Sequence, residues 1–307
     1  MSAALGLRKL FARPGIVRVI GVHNAWGARL GERAGFDAIW ASGLELSASH
    51  GVPDADILTM GDLLADIRWI TSAVPIPVIA DCDAGYGNAS NVAHMVRLYE
   101  SAGVAAVCIE DKVFPKTNSF VEGRQRLVSI AEFVGKIGAA KAAQADPDFM
   151  VVARVESLIA GYGLDEALKR AAAYVEAGAD AILIHAKDKS PQRVLDFLSA
   201  WSGPIPVVVV PTMYHSITGA ELERAGAKMV IYANHGLRAG TQAVMEVFEE
   251  ILRTDGTTSS EDRIAPLNTI LELQGTFTML AHDARYGYGG DSPDSDVPLN
   301  SGRTAEK

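Results

Sequence analysis

The stretch EAGADAILIH, from Glu176 to His185, joins the end of a helix to an apolar strand and is nearly repeated twice earlier in the chain. The earlier copies are RAGFDAIW at positions 33–40 and SAGVAAVCIE at positions 101–110. In each copy the glycine suits the left-handed residue that ends a helix, and the apolar residues after it suit a strand. The repeat therefore predicts a chain built from successive helix-to-strand units.

Eight short apolar runs mark the predicted strands of this architecture. They are rich in Val, Ile and Ala, and several lack polar alternation, which is typical of parallel strands covered on both faces. The runs are Val17–Val22, Ala38–Ala41, Pro77–Asp81, Ala105–Ile109, Met150–Val155, Ala181–His185, Pro206–Val210 and Met229–Ala233. Eight such α/β units close most simply as a (β/α)8 TIM barrel. The alternative is an open doubly wound sheet, which the lack of a Gly-x-Gly-x-x-Gly motif after an early strand disfavours.

Composition and charge limit the classes of partner. The 307 residues carry a net charge of -9, so a nucleic-acid partner is disfavoured. Two cysteines give no disulfide framework, and no segment resembles a signal peptide or a membrane span, so we expect a cytoplasmic protein without a membrane partner. We predict a barrel domain over residues 1–275 and a C-terminal extension over 276–307. Its end, Gly289–Lys307, is rich in Gly, Ser, Asp and Pro, and we expect that part to be disordered.

Polar side chains cluster where the predicted strands end, which is the face of a barrel that carries chemistry. Asp81 and Asp83 flank Cys82, and strand alternation would direct both carboxylates to one side. Glu110 ends the next unit, and such an all-oxygen acidic cluster suits Mg²⁺, with Mn²⁺ as a second possibility. A turn or a helix cap is the alternative interpretation of Asp-x-Asp.

A second set of side chains at the strand ends suits an anionic ligand. Arg154 and His185 follow apolar runs and can bind a phosphoryl or carboxylate group, although Arg154 can instead form a structural ion pair with Glu156. Gly43 lets backbone amides approach an anion closely. The polar segment from Lys112 to Arg124, here called the rim loop, is interpreted either as a lid or as an ordinary solvated loop.

A series of motifs resembles the superfamily of phosphoenolpyruvate mutases and isocitrate lyases, in the order in which that superfamily has them. The most specific is EDKVFPKTNS at 110–119, which resembles the gating-loop motif of the mutases. The others are IWASGLELSAS from Ile39, DCDAGYGN from Asp81, DPDFMVVARVES from Asp146, GLDEALKRA from Gly163, GADAILIHAK from Gly178, VVPTMY from Val209 and VIYANHGLRA from Val230. The resemblance spans roughly Val19 to Gly275, which is nearly the whole predicted barrel.

This resemblance implies both an architecture and a site. It implies a (β/α)8 barrel whose C-terminal helix is swapped between subunits, in a homo-oligomer that is a dimer or a dimer of dimers. It implies Mg²⁺ bound at Asp81, with Asp83 and Glu110 holding metal-bound waters. The catalytic residues it implies are Asp54, Asn118, Arg154 and His185. The substrate-binding residues it implies are Trp40, Ser42, Gly43, Leu44, Lys116 and Ser119.

The activity implied by the resemblance is the Mg²⁺-dependent interconversion of phosphoenolpyruvate and phosphonopyruvate, which forms the C–P bond in phosphonate biosynthesis. The alternative is phosphonopyruvate hydrolysis. The hydrolases have Thr where this chain has Asn118, which favours the mutase, whereas ELSASHGVPDADIL from Glu45 resembles the hydrolases at least as much as the mutases. A C–C lyase is less expected, because the loop has Lys116-Thr117-Asn118-Ser119 where those enzymes carry a catalytic cysteine. A non-catalytic barrel is disfavoured by the intact polar set.

Overall fold

The computed structural model describes residues 2–123 and 125–287, and its centre is a closed barrel of eight parallel strands. Each strand pairs with the next along the chain, and the last pairs with the first. The strands are β1 Val17–Val22, β2 Ala38–Ala41, β3 Val78–Asp81, β4 Ala106–Glu110, β5 Met150–Val155, β6 Ala181–Ile184, β7 Val207–Val209 and β8 Ala227–Tyr232. The prediction of a (β/α)8 barrel is confirmed, and the closure of β8 onto β1 rules out the open sheet.

The helices alternate with these strands and continue beyond the barrel. They are α1 Ala3–Ala12, α2 Ala25–Arg33, α3 Gly43–Ser49, α4 Met60–Ala73, α5 Ala89–Ser101, α6 Ile130–Ala143, α7 Leu164–Glu176, α8 Gln192–Ala200, α9 Gly219–Arg224, α10 His235–Thr254, α11 Thr258–Glu261, α12 Leu267–Leu273 and α13 Thr276–Tyr286. The glycines of the three repeated phrases have φ of +88°, +84° and +99° for Gly35, Gly103 and Gly178, as the repeat predicts. A fourth copy, ending α9 at Gly226 with φ of +106°, was missed from the sequence.

Two apolar layers hold the barrel together, one inside it and one between strands and helices. Trp40, Met150 and Leu183 belong to the interior layer, as expected where inward-pointing side chains fill the barrel. Leu7 of α1 joins that layer, and Arg8 donates hydrogen bonds to the carbonyls of residues 148 and 149, directly before β5. Helix α1 therefore covers the N-terminal end of the barrel and leaves the opposite end free for a site.

The chain divides into two units, Met1–Phe248 and a second that begins at Glu249. The first contains the barrel, and the second contains α11, α12 and α13. The boundary at residue 275 and the swapped C-terminal helix stay predictions, and the segment expected to be disordered lies outside the described residues. Within the described part of the chain, no helix has the length and apolar character needed to cross a membrane.

Candidate active site

A cavity opens at the C-terminal ends of the barrel strands, and the space between its walls, open mouth included, is about 500 Å³. Ten of the thirteen predicted site residues line it: Trp40, Ser42, Leu44, Asp54, Asp81, Lys116, Asn118, Ser119, Arg154 and His185. The other three, Gly43, Asp83 and Glu110, contact residues of this lining. The structure thus brings together side chains that are up to 145 positions apart in the sequence, from Trp40 to His185.

Asp81 and Asp83 lie on the same side of the chain, but not through strand alternation as predicted. Strand β3 ends at Asp81, and Asp83 has a left-handed backbone with φ of +49°. Both carboxylates turn toward Gly43, whose backbone N–H donates to Asp81 Oδ2 at 3.3 Å. A Cβ at Gly43 would lie 2.9 Å from Asp83 Oδ1, so only glycine leaves room for this approach. Cys82 belongs instead to the apolar layer between strands and helices.

Glu110 is the last residue of β4, between β3 and β5 in the barrel. It is paired in register with Arg154, and Arg154 Nε lies 3.3 Å from Glu110 Oε2. Lys112 Nζ lies 3.8 Å from Glu110 Oε1. Neither carboxylate oxygen of Glu110 accepts a hydrogen bond although both are buried. Such oxygens are costly to bury unless a cation compensates them.

Lys116 extends from the rim loop into the cavity and reaches two carboxylates. Its Nζ lies 2.7 Å from Asp54 Oδ1 and 2.5 Å from Asp83 Oδ1. Burial alone would lower the pKa of Lys116, but the surrounding carboxylates, Asp83 foremost, raise it well above its usual range. Lys116 is therefore an ammonium ion in the folded protein.

Among the described residues around the cavity, buried carboxylates outnumber buried cationic side chains. Five carboxylates contact three cationic side chains: Asp54, Asp81, Asp83, Glu110 and Glu156 against Lys112, Lys116 and Arg154. Burial raises the pKa of Asp81 and, more strongly, of Asp83. An all-oxygen donor set with surplus negative charge fits a hard divalent cation. Among residues 2–123 and 125–287, however, no three His, Cys, Asp or Glu side chains are close enough to hold a metal ion by direct bonds alone.

Arg154 combines the two alternatives that the sequence left open. It lines the cavity, and its Nε also donates to Glu156 Oε1 at 2.6 Å. His185 Nδ1 lies 2.7 Å from the same Glu156 oxygen. Burial by itself would raise the pKa of Glu156, but Arg154, His185 and Lys112 outweigh burial and hold the pKa well below its usual range. Burial lowers the pKa of His185, and Glu156 only partly opposes this effect.

The rim loop, described up to Gly123, packs over the cavity. Asn118 Nδ2 donates to Asp54 Oδ2 at 2.6 Å, so its amide lies at the site. Phe120 lines the cavity, and its ring meets the His185 ring edge to face with centroids 6.0 Å apart. Lys112 and Lys116 are buried, whereas the side chains of a solvated loop would be exposed. The geometry therefore favours a lid over an ordinary loop.

Beneath the site, a buried ion pair joins both ends of the rim loop to α7. Asp111 Oδ2 accepts from Tyr174 Oη at 2.7 Å and from Arg170 Nη1 at 3.0 Å. Arg170 also donates to the Val128 carbonyl, and Asp111 Oδ1 accepts from the Glu156 backbone at 2.9 Å. This cluster fixes the ends of β4 and β5, which carry the functional side chains.

Several residues of the site were not among the predicted ones. Glu156 and Lys112 belong to its buried charge network, and the cavity is also lined by Phe120, Val210, Thr212, Ala233 and Asn234. Glu156, Val210 and Ala233 follow a strand directly, and Lys112, Thr212 and Asn234 lie two or three residues after one. All but Phe120 therefore lie at the strand ends, where the sequence analysis expected chemistry.

Comparisons with known proteins place this geometry in a family context. Residues 7–252 match the family model described as phosphoenolpyruvate phosphomutase. A solved phosphoenolpyruvate phosphomutase from Streptomyces platensis subsp. rosaceus is 64% identical with a TM-score of 0.92, covering 93% of this chain and 99% of that one. Phosphonopyruvate hydrolase from Variovorax sp. (strain Pal2) is 50% identical over 290 residues, 93% of this chain and 97% of the relative. A solved phosphonopyruvate hydrolase in complex with oxalate and Mg²⁺ is 47% identical with a TM-score of 0.88, covering 93% and 99% of the two chains.

Proposed function

Because this chain belongs to the phosphoenolpyruvate phosphomutase family, we propose that it interconverts phosphoenolpyruvate and phosphonopyruvate in a Mg²⁺-dependent reaction. The observation that carries the proposal is Asn118, which the rim loop holds in the cavity with its amide donating to Asp54. An asparagine has no hydroxyl that could attack phosphorus or activate a water molecule. Phosphoryl transfer within one substrate needs such a group to be absent and water to be excluded.

The reaction is an isomerisation whose atoms balance without a co-substrate. The bond between C3 of pyruvate and phosphorus breaks, and a bond forms between phosphorus and the oxygen on C2. Transfer of this type depends on positioning and on charge stabilisation. Arg154 lines the cavity where its guanidinium can donate to the phosphoryl oxygens, and His185 turns its second ring nitrogen toward the same ligand. Phe120 and Lys116 also line this space and would limit the entry of water.

The metal of the proposal fits the side chains present. Asp81 would bind the ion directly, and Asp83 and Glu110 would hold its water ligands. If all three carboxylates bound the ion directly, they would have to lie close together, and no such group of three occurs among the described residues. Contacts through water ligands allow a wider spacing. When bound, Mg²⁺ would stabilise negative charge that develops on the pyruvate oxygens.

Phosphonopyruvate hydrolysis is the second candidate, and the 50% identity to the Variovorax hydrolase favours it. It would use the same cavity and release pyruvate and phosphate. A C–C lyase has less support, because the only cysteines, Cys82 and Cys108, are buried free thiols outside the rim loop. A chain of this length with two cysteines fits the cytoplasmic location we propose, and we propose a homo-oligomer as the assembly.

The two candidates differ in product, so one time course separates them. Purified protein is incubated with phosphonopyruvate and Mg²⁺ and followed by ³¹P NMR, with an EDTA-treated sample as control. The mutase gives phosphoenolpyruvate and approaches the same mixture from either substrate. Appearance of inorganic phosphate without phosphoenolpyruvate would establish the hydrolase, and no turnover of either compound would refute both.

A further inference from the structure

Glu156 follows β5, is fully buried and contacts four polar side chains from two different parts of the protein. Two of the four lie at the barrel rim: Arg154 Nε at 2.6 Å and His185 Nδ1 at 2.7 Å, both on Oε1. The other two belong to the rim loop: Ser119 Oγ at 2.8 Å and Lys112 Nζ at 3.2 Å, both on Oε2. Oε1 of the carboxylate thus contacts Arg154 and His185 at the strand ends, and Oε2 contacts the rim loop.

The contacts on Oε1 determine which ring nitrogen of His185 carries a proton. His185 Nδ1 is 2.7 Å from the Glu156 carboxylate and 2.9 Å from Arg154 Nη2, and it cannot donate to the first and accept from the second at once. An unprotonated Nδ1 would set its lone pair against a carboxylate in a buried site, which is unfavourable at low dielectric. Nδ1 therefore carries the hydrogen and donates it to Glu156, which leaves Nε2 for the ligand in the cavity.

The contacts on Oε2 fasten the rim loop. Ser119 Oγ donates to Glu156, and Lys112 Nζ donates to Ser119 Oγ at 2.6 Å. Lys112 Nζ also donates to the Thr117 carbonyl at 3.1 Å, so the loop folds around this buried anchor. Without a carboxylate here, Lys112 would be a buried cation with only neutral loop partners and the more distant Glu110.

We propose that Glu156 is a positioning residue that holds the rim loop closed through one oxygen and fixes Arg154 and the tautomer of His185 through the other. Glu156 does not touch the substrate. It couples the closed position of the rim loop to the orientation of Arg154 and His185. The proposal rests on the proposed function for its catalytic meaning. Its structural content stands apart from any reaction.

The first test measures the loop without substrate. Limited trypsinolysis at Lys112 and Lys116 is compared for wild type, Glu156→Gln, Ser119→Ala and the double variant. We expect cleavage in the rim loop to accelerate at least severalfold in each single variant, and the double variant to be no faster than Glu156→Gln, because both changes break the same contact. Glu132→Gln, which alters an exposed carboxylate on α6, serves as the matched control and should cleave like wild type.

The second test observes the imidazole of His185 by ¹⁵N NMR near pH 8, with the signal assigned by its loss in His185→Gln. Wild type should show a protonated Nδ1 and an unprotonated Nε2. Glu156→Gln removes the negative charge that favours a hydrogen on Nδ1. Arg154 Nη2 can then donate to an unprotonated Nδ1, so the tautomer with its hydrogen on Nε2 should gain population. Ser119→Ala and Glu132→Gln should leave the signal unchanged.

Turnover separates failure of this inference from failure of the proposed function. We expect Glu156→Gln to lower kcat by about tenfold or more while KM changes less, since the lost interactions act mainly on the transition state. If wild type turns over neither substrate but both structural tests give the expected result, the function is wrong and the positioning role remains. If Glu156→Gln matches wild type in loop cleavage and imidazole signal, the inference is refuted. Should Glu156→Gln fail to fold, wild-type cleavage rates in Ser119→Ala would refute the loop contact.

Discussion

Replacement of Arg154 by Lys isolates the contribution of guanidinium geometry from that of charge. Arg154 donates through Nε to Glu156 at 2.6 Å and through Nη2 to Ser119 at 3.2 Å, while Nη1 lies 3.9 Å from Asp81. A lysine keeps the positive charge, but its one ammonium nitrogen cannot occupy the positions of Nε and both Nη atoms, so the forked geometry of the guanidinium is lost. At least one charge-assisted hydrogen bond is then lost, worth about 1.5–3 kcal/mol.

That loss corresponds to a roughly 10- to 150-fold decrease in kcat/KM if the bond acts in the transition state. The assay follows the conversion of phosphonopyruvate to phosphoenolpyruvate by ³¹P NMR, and thermal unfolding checks that the variant is folded. Arg193→Lys is the matched control, because Arg193 also donates through two nitrogens, to the Leu158 and Tyr162 carbonyls, and does not line the cavity. Its kinetics should stay within about twofold of wild type. Wild-type kinetics in Arg154→Lys would show that Arg154 serves only as an ion-pair partner.

Three further outcomes follow from the same site. Chelation by EDTA should abolish turnover and Mg²⁺ should restore it, and Asp81→Ala should lower turnover more than Asp83→Ala; metal-independent activity of Asp81→Ala would contradict the metal site. Asn118→Ala should slow isomerisation without changing urea unfolding, and Asn118→Thr should increase phosphate relative to phosphoenolpyruvate in ³¹P NMR; a wild-type ratio would remove the main support for a mutase. The pKa of Glu156 is depressed on folding, so its stabilisation is present above the usual value of 4.5 and is lost as pH falls below it. Urea unfolding between about pH 6 and 3 should therefore show a smaller loss of stability in Glu156→Gln than in wild type, and equal losses would argue against this assignment.

Local sequence patterns were sufficient to predict the barrel. The left-handed glycine that ends a helix, as at Gly178, and the apolar strand after it are properties of a few neighbouring residues. The rule that polar side chains at the C-terminal strand ends meet on one face then placed Asp81, Arg154 and His185 in one cavity. The prediction that Asp83 continues the strand was wrong, because the end of a strand depends on pairing with neighbouring strands and not on its own residues alone.

The sequence by itself determined the repeated βα units, the set of polar residues at their ends and the resemblance of the motifs to a superfamily. Only the tertiary structure decided how these charges are paired. Lys116 contacts Asp54 and Asp83, and Glu156 contacts Ser119 of the rim loop. The partners in these contacts are 33 to 62 positions apart in the sequence, which is farther than a local motif extends. The physical reason is that an ion pair depends on distance and burial, and both arise when the barrel closes and the loop folds over it.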